Sequence, residues 1–287
     1  MKDKLNKYTK NYTSQFGEDG IIEYLIQTSR TPINKSCFEV GAGDGETFSN
    51  TFNLWRNLGW NAILVEADER RYSKLIDKYG ALTNLKIVTN KLMVEGINSV
   101  DDIVLSHNWD SKLNNIGVMS IDIDSYDYHV FDKISKIFPQ IVVIEFNNYI
   151  PPYIDYNDPI DEVFLRCSAK SIERLAVEKG YKLVACTVTN AILLKSDCFN
   201  SALHPDMPVE WLFDYEGQIA NGSVPFSLVE SQLVSRYPVF SRKVAWGEAF
   251  YFKVRGFLAH ALANKEVYKK PSMNVIKRIK DAGLYID

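Results

Sequence analysis

Cysteine, histidine and methionine are scarce in this sequence of 287 residues, numbering four, four and five. Cys37, Cys167, Cys186 and Cys198 form no CxxC pair and no spacing of a secreted disulfide framework. They read as buried thiols, and a reducing cytoplasm suits them. No stretch approaches the roughly 18 uninterrupted apolar residues of a membrane span. The first twenty residues, MKDKLNKYTKNYTSQFGEDG, are polar and lack the apolar centre of a signal peptide. Basic charge is not in excess: the net charge is −3, so no global positive field exists to hold a polyanion, and nucleic acid is excluded as the expected partner. Internal repeats and low-complexity tracts are also absent.

What is present is a chain 46% hydrophobic and 24% charged, long enough for one large α/β domain with an added segment. Strand and helix patterns alternate, which predicts a parallel sheet with helices on both faces. Apolar spacing through Ile21, Ile22, Leu25 and Ile26 predicts a helix from about Glu18. Short buried strands are expected at 37–40, 62–65, 85–88, 117–121 and 141–144, the last almost purely β-branched. Helices are expected through Phe48, Phe52, Leu54 and Leu58, over 70–79, and through Ile172 and Leu175 with a stop at Gly180. Two closing strands at 182–186 and 191–194, separated by Thr187 to Asn190, have hairpin spacing. A first domain is therefore expected over residues 1–200. Residues 201–287, with Trp211, Trp246 and many other aromatics, are expected to form a mainly helical elaboration packed on it.

The densest local signal is Glu39-Val40-Gly41-Ala42-Gly43-Asp44-Gly45, between an expected strand and an expected helix. Glycine carries no Cβ and accepts positive φ, so such a loop can turn sharply and approach a ligand. The spacing departs from the GxGxxG of dinucleotide-binding turns, because Gly45 follows Gly43 by two residues. A dinucleotide needs a helix N-terminus for its pyrophosphate. S-adenosylmethionine carries no phosphate, but a sulfonium, an ammonium and a carboxylate. Glu39 is placed to help bind the cationic methionyl end, and Glu66, at the end of the next strand, to accept hydrogen bonds from both ribose hydroxyls.

Five segments carry a resemblance to a known family. SQFGEDG at Ser14 to Gly20, FEVGAGDGETFSNT at Phe38 to Thr51, ILVEAD at Ile63 to Asp68, MSIDIDSYDYHVF at Met119 to Phe131 and VVIEFNNYIPP at Val142 to Pro152 resemble the FkbM-type branch of class I methyltransferases. The resemblance covers roughly residues 12–195. It implies a Rossmann-like seven-stranded, mostly parallel sheet of order 3-2-1-4-5-7-6 with strand 7 antiparallel. It also implies cofactor contacts from Gly41, Gly43, Gly45 and Glu66 and from the region of Gln15, with Ser49 and Asn50 as additions early in the next helix. One departure stands out: members of that branch typically continue strand 4 as Lys-Ile-Asp-(Val/Ile)-Glu-Gly, whereas this chain has Ser120-Ile121-Asp122-Ile123-Asp124-Ser125.

Open α/β sheets bind ligands beyond the carboxyl ends of their strands. Asp122 and Asp124 are expected there after strand 4, on one side if the strand persists. Glu145 and Asn147 follow strand 5. One of these carboxylates would serve as general base toward an acceptor hydroxyl or amide. Alternatively, Asp122, Glu145 and Asn147 would hold Mg²⁺ or Mn²⁺, which prefer hard oxygen ligands. The Asp-x-Asp-x-Tyr pattern of Asp122 to Tyr126 is similar to the metal-site strand of macrolide-sugar methyltransferases. His129, one helical turn after Ser125, is a further candidate base. Asn148-Tyr149-Ile150-Pro151-Pro152-Tyr153 only partly matches the Asn-Pro-Pro-Tyr loop of base-modifying enzymes, since Ile150 precedes the prolines, and it reads as a rigid turn. The basic run from Lys265 to Lys280 reads as a solvated amphipathic helix, or as an attractor of a phosphorylated sugar.

The resulting expectation is an S-adenosylmethionine-dependent methyltransferase of the cytoplasm. Its acceptor would be a small polar molecule, favoured by resemblance to be a hydroxyl of a sugar in a surface polysaccharide or glycosylated metabolite, with an amide or amine second. The rivals are a nicotinamide-dependent oxidoreductase and a non-catalytic protein that keeps the cofactor.

Overall fold

Period-two burial builds the centre of this protein. In the computed structural model, which describes residues 3–89, 96, 99–106, 116–163, 165–221 and 281, strand β1 (Ser36–Val40) is buried along its whole length. Phe38 and Val40 turn into one apolar layer and Cys37 into the other. The same division splits β2 (Asn61–Glu66), β4 (Val118–Ile121) and β5 (Ile141–Glu145): Ile63, Val65, Met119, Ile121, Val142 and Ile144 face the first layer, and Ala62, Leu64, Val118, Ile141 and Val143 the second. Strands apolar on both faces need helices on both faces.

With β3 (Leu85–Thr89), β6 (Tyr181–Cys186) and β7 (Asn190–Lys195), the sheet has seven strands in the order β3-β2-β1-β4-β5-β7-β6. Five strands run parallel, and β7 pairs antiparallel with both β5 and β6. This is the Rossmann-like strand order that the resemblance implied. The expected hairpin is present, closed by Thr187 N–H on the Asn190 carbonyl at 2.9 Å.

One layer holds α1 (Glu18–Thr28) and α2 (Glu69–Tyr79); the other holds α3 (Val100–Ser106), α4 (Asp127–Lys133), α5 (Ala169–Glu178) and α6 (Val209–Leu212). α2 is mostly exposed and buries Leu75 and Tyr79, while Asp68 caps it by accepting Arg70 and Arg71 N–H at 2.9 Å. Beyond residue 200, α6 and α7 (Tyr215–Ala220) are described, and Phe213 packs on Phe146, the residue after β5. Most of the expected 201–287 elaboration, including Trp246 and the basic run 265–280, lies outside the described residues. All four cysteines are free and buried. Among the described residues no helix is long and apolar enough to cross a membrane.

One element differs from expectation. No helix starts at Phe48; the chain stays irregular until a π-helical turn, Asn53–Asn57. The cause is Glu39, buried at the end of β1. Its Oε2 accepts Ser49 Oγ at 2.7 Å and Thr51 Oγ1 at 2.6 Å, and its Oε1 accepts Asn50 N–H at 3.0 Å. Ser49 Oγ in turn accepts Phe52 N–H at 2.9 Å. Side chains thus take the backbone donors that a first helical turn would have ordered. Phe48 is left at φ 63° and 59% exposed.

Candidate functional site

A cleft of about 330 Å³ opens at the carboxyl ends of β1, β2 and β4, where the switch in strand order leaves room between crossovers. The glycine loop forms its floor. Gly41 and Ala42 N–H both bind the Val65 carbonyl, at 3.0 and 3.1 Å, and Gly45 N–H binds the Ala42 carbonyl at 2.8 Å. Gly41 has φ 78°, and a Cβ there would lie 1.7 Å from the Asp122 carbonyl oxygen, so only glycine lets β1 and β4 close up here. Gly43, at φ 59°, would meet nothing within 4 Å and faces open space.

Glu66 sits opposite, buried at the end of β2. Its Oε2 accepts Gly43 N–H at 2.6 Å and its Oε1 accepts Asp68 N–H at 2.7 Å. Each oxygen keeps one lone pair for a ligand hydroxyl. Glu39 is more fully used: three hydrogen bonds from Ser49, Asn50 and Thr51 occupy it, and burial raises its carboxyl. Glu39 and Ser49 also line the cleft, and the turn that Glu39 shapes presents Asn50. The Asn50 amide nitrogen donates to Ser120 Oγ at 3.0 Å, whereas its Oδ1 is buried without a hydrogen-bond partner among the described residues. An unmatched buried acceptor in a cleft wall suits a cationic donor such as an ammonium. The residues present therefore fit S-adenosylmethionine: acceptors for ribose hydroxyls at Glu66, an open glycine, and an acceptor at Asn50.

Gln15 is not part of this wall. It is exposed at the tip of the N-terminal strap, which Asp19 organises by accepting Tyr12, Thr13 and Ser14 N–H at 2.8, 2.9 and 2.9 Å. Glu18 binds the β6–β7 turn through Thr187 Oγ1 at 2.6 Å and Asn190 Nδ2 at 2.9 Å. The strap meets the cleft wall through Thr13 Oγ1 on the Ser49 carbonyl at 3.1 Å.

The acidic run after β4 separates its two aspartates. β4 ends at Ile121, and Asp127, buried in the first turn of α4, accepts Ile123 N–H at 2.8 Å and Ser125 N–H at 3.1 Å. That turn puts Asp124 at φ 56° with its side chain 88% exposed, so strand alternation does not continue through it. Asp122 instead joins Asp127 and Glu145, with one carboxylate oxygen from each lying within 4.8 Å of the others. Burial, then the charges of Asp127 and Asp124, push the Asp122 carboxyl up from 3.8 to about 7. Burial raises Glu145 as well.

The cation of this cluster is Arg166, which composition and spacing gave no reason to single out. Its guanidinium bonds Glu145 closely and reaches Asp124 Oδ1 at 3.1 Å, and these carboxylates raise its own pKa. Asn147 is committed elsewhere: Nδ2 donates to the Leu165 carbonyl at 2.9 Å and Oδ1 accepts Tyr149 N–H at 3.0 Å. The His129 ring is bound at Nε2 to the Asp158 carbonyl at 2.8 Å, and His129 does not line the cleft. Asp122 and Asp124 do line it, together with Phe48 and Arg71.

No family model matches this sequence, and no curated protein matches it. Solved structures with a similar chain path include an S-adenosylmethionine-dependent methyltransferase of Aquifex aeolicus, at 12% identity and TM-score 0.35, covering 62% of this chain and 88% of that one. Another, of the same description and from Clostridium acetobutylicum ATCC 824, has 12% identity and TM-score 0.39, covering 62% and 90%. The methyltransferase CcbJ of Streptomyces caelestis has 10% identity and TM-score 0.39, covering 68% and 97%.

Proposed function

We propose that this protein is an S-adenosylmethionine-dependent methyltransferase of the FkbM-like branch. Its acceptor is a hydroxyl of a small sugar or sugar derivative, of the kind built into surface polysaccharides or glycosylated metabolites. The observation that carries the reading is one cleft shared by the open Gly43, the Glu66 carboxylate and the Asp122 carboxylate. When bound, the cofactor supplies a methyl group activated on a sulfonium. Glu66 takes the ribose hydroxyls with its remaining lone pairs, and Asn50 Oδ1 takes the ammonium.

Asp122 then removes the proton of the acceptor hydroxyl. A carboxylate held near 7 suits that task, because a base works best with its pKa close to the operating pH. An alcohol needs such a base, whereas a neutral amine is nucleophilic without one, which favours oxygen over nitrogen. Asp124 stands at the rim to contact the polar acceptor, and Glu145 acts on it through its contact with Asp122.

A nicotinamide cofactor fits this floor poorly. The N–H groups of Gly41, Ala42, Gly43 and Gly45 are all spent within the protein, no helix begins directly after the loop, and the Glu66 anion abuts it. A pyrophosphate would find no free backbone donors at those four residues. The test is incorporation of labelled methyl into a panel of hydroxylated and aminated sugars, with wild type and Asp122→Asn. Transfer to a hydroxyl that Asp122→Asn abolishes while cofactor binding survives supports the proposal. Transfer undiminished in Asp122→Asn, or to amines alone, contradicts it.

A further inference from the structure

Three carboxylates as close as those of Asp122, Asp127 and Glu145 ordinarily require a cation, because like charges taken out of water are costly unless paired. A divalent ion is one solution; a buried guanidinium is another. In this protein the second is built in with some care. Arg166 stands in the left-handed region at φ 64°, a conformation unfavourable for a side chain of its size.

What holds it there is a clamp made by Asp158, buried in the loop after β5. The Asp158 carboxylate accepts the N–H of Leu165 at 2.6 Å and also that of Arg166, while Asp158 N–H donates to the Arg166 carbonyl at 2.8 Å. Tyr156 donates its hydroxyl to Asp158 Oδ1 at 2.6 Å, and the His129 ring is fixed to the Asp158 carbonyl. His129 thereby acquires a role: it braces the loop that aims Arg166.

We infer that the Arg166 guanidinium is the permanent counter-cation of the Asp122, Asp127 and Glu145 cluster, and that it takes the place at which a divalent ion would otherwise be held. The cluster does not fit Mg²⁺ or Mn²⁺ while Arg166 is seated, since Glu145 already spends an oxygen on the guanidinium and a second cation would be repelled. Arg166 is a positioning residue: it fixes Glu145, and through Glu145 it orients the Asp122 carboxylate toward the cleft. The inference rests on the base role proposed for Asp122, but its test does not depend on methyl transfer.

The full chain is titrated with Mn²⁺, followed by the ion's paramagnetic resonance and by calorimetry, for wild type, Glu145→Gln, Arg166→Ala, Arg166→Lys and Arg166→Ala/Glu145→Gln. Folding is checked by circular dichroism and cofactor competence by binding of S-adenosylhomocysteine. The expected result is no saturable Mn²⁺ binding by wild type or Arg166→Lys. Arg166→Ala should gain it, at least about tenfold tighter than wild type, and lose it again in the double variant. Saturable binding by wild type that Glu145→Gln removes overturns the inference. So does a folded Arg166→Ala that gains none. If Arg166→Ala does not fold, Arg166→Gln replaces it, and the wild-type titration decides on its own. Failed S-adenosylhomocysteine binding by wild type would instead defeat the methyltransferase reading.

Discussion

At the scale of single residues, the account makes sharp distinctions between neighbours of the same type. Gly41 and Gly43 both have positive φ, yet a Cβ on Gly41 would overlap the Asp122 carbonyl while one on Gly43 would meet nothing. Gly41→Ala should therefore destabilise the fold by roughly 2–4 kcal/mol, measured by denaturant titration. Gly43→Ala should cost only about 1–2 kcal/mol of stability, and weaken cofactor binding by intruding on the cleft. Glu66→Gln should weaken binding of S-adenosylmethionine by about tenfold to a hundredfold in calorimetry, since it removes charge-assisted hydrogen bonds. Asp122→Asn should lower transfer by about 10² to 10⁴ with little change in cofactor affinity. The pH profile carries a sign. Asp122 must be ionised to act and is faced by Asp127, Asp124, Glu145 and Arg166, so kcat/KM should fall on the acid side with a midpoint near 7, and Asp122→Asn should erase that limb. Because folding raises this carboxyl from 3.8 to about 7, its contribution to stability is full below about 4 and is lost as pH rises through 7. Melting temperature should therefore decline across that window, less so in Asp122→Asn.

At the scale of elements, the strands were legible because period-two burial and β-branched runs leave a strong imprint, and Val142, Val143 and Ile144 admit little else. The turn after β1 was not. Ser49, Asn50 and Thr51 read as the start of a helix, and nothing local reveals that a buried glutamate ten residues upstream takes their hydrogen bonds. The acidic run misled in a similar way: alternation places Asp122 and Asp124 together, but Asp127 turns the chain between them. Arg166 left no trace in the pattern, since its pairing with Glu145 is set by a long loop rather than by spacing. The N-terminal SQFGEDG segment proves to be a tether, with Gln15 at its exposed tip and Asp19 at its root. Asp19→Ala would strand three backbone donors and should cost about 2–3 kcal/mol of stability, read from the shift in denaturant midpoint.

At the scale of the whole molecule, the sheet order brings the glycine loop, Glu66 and the acid cluster to one edge from four different strands. None of these groups is unusual alone; the crossover at β1 and β4 makes them a site. A ligand that bridges the loop and Glu66 should stabilise the fold by mass action, by about 2.7 kcal/mol at a hundredfold excess over its Kd. The most direct test of the central claim is calorimetric titration of the full chain with S-adenosylmethionine, S-adenosylhomocysteine and NAD(H), each with and without Mg²⁺. The account predicts saturable binding of the first two, none of NAD(H), and no dependence on Mg²⁺. Binding of NAD(H) in their place, or of neither methyl-cycle ligand, would contradict it.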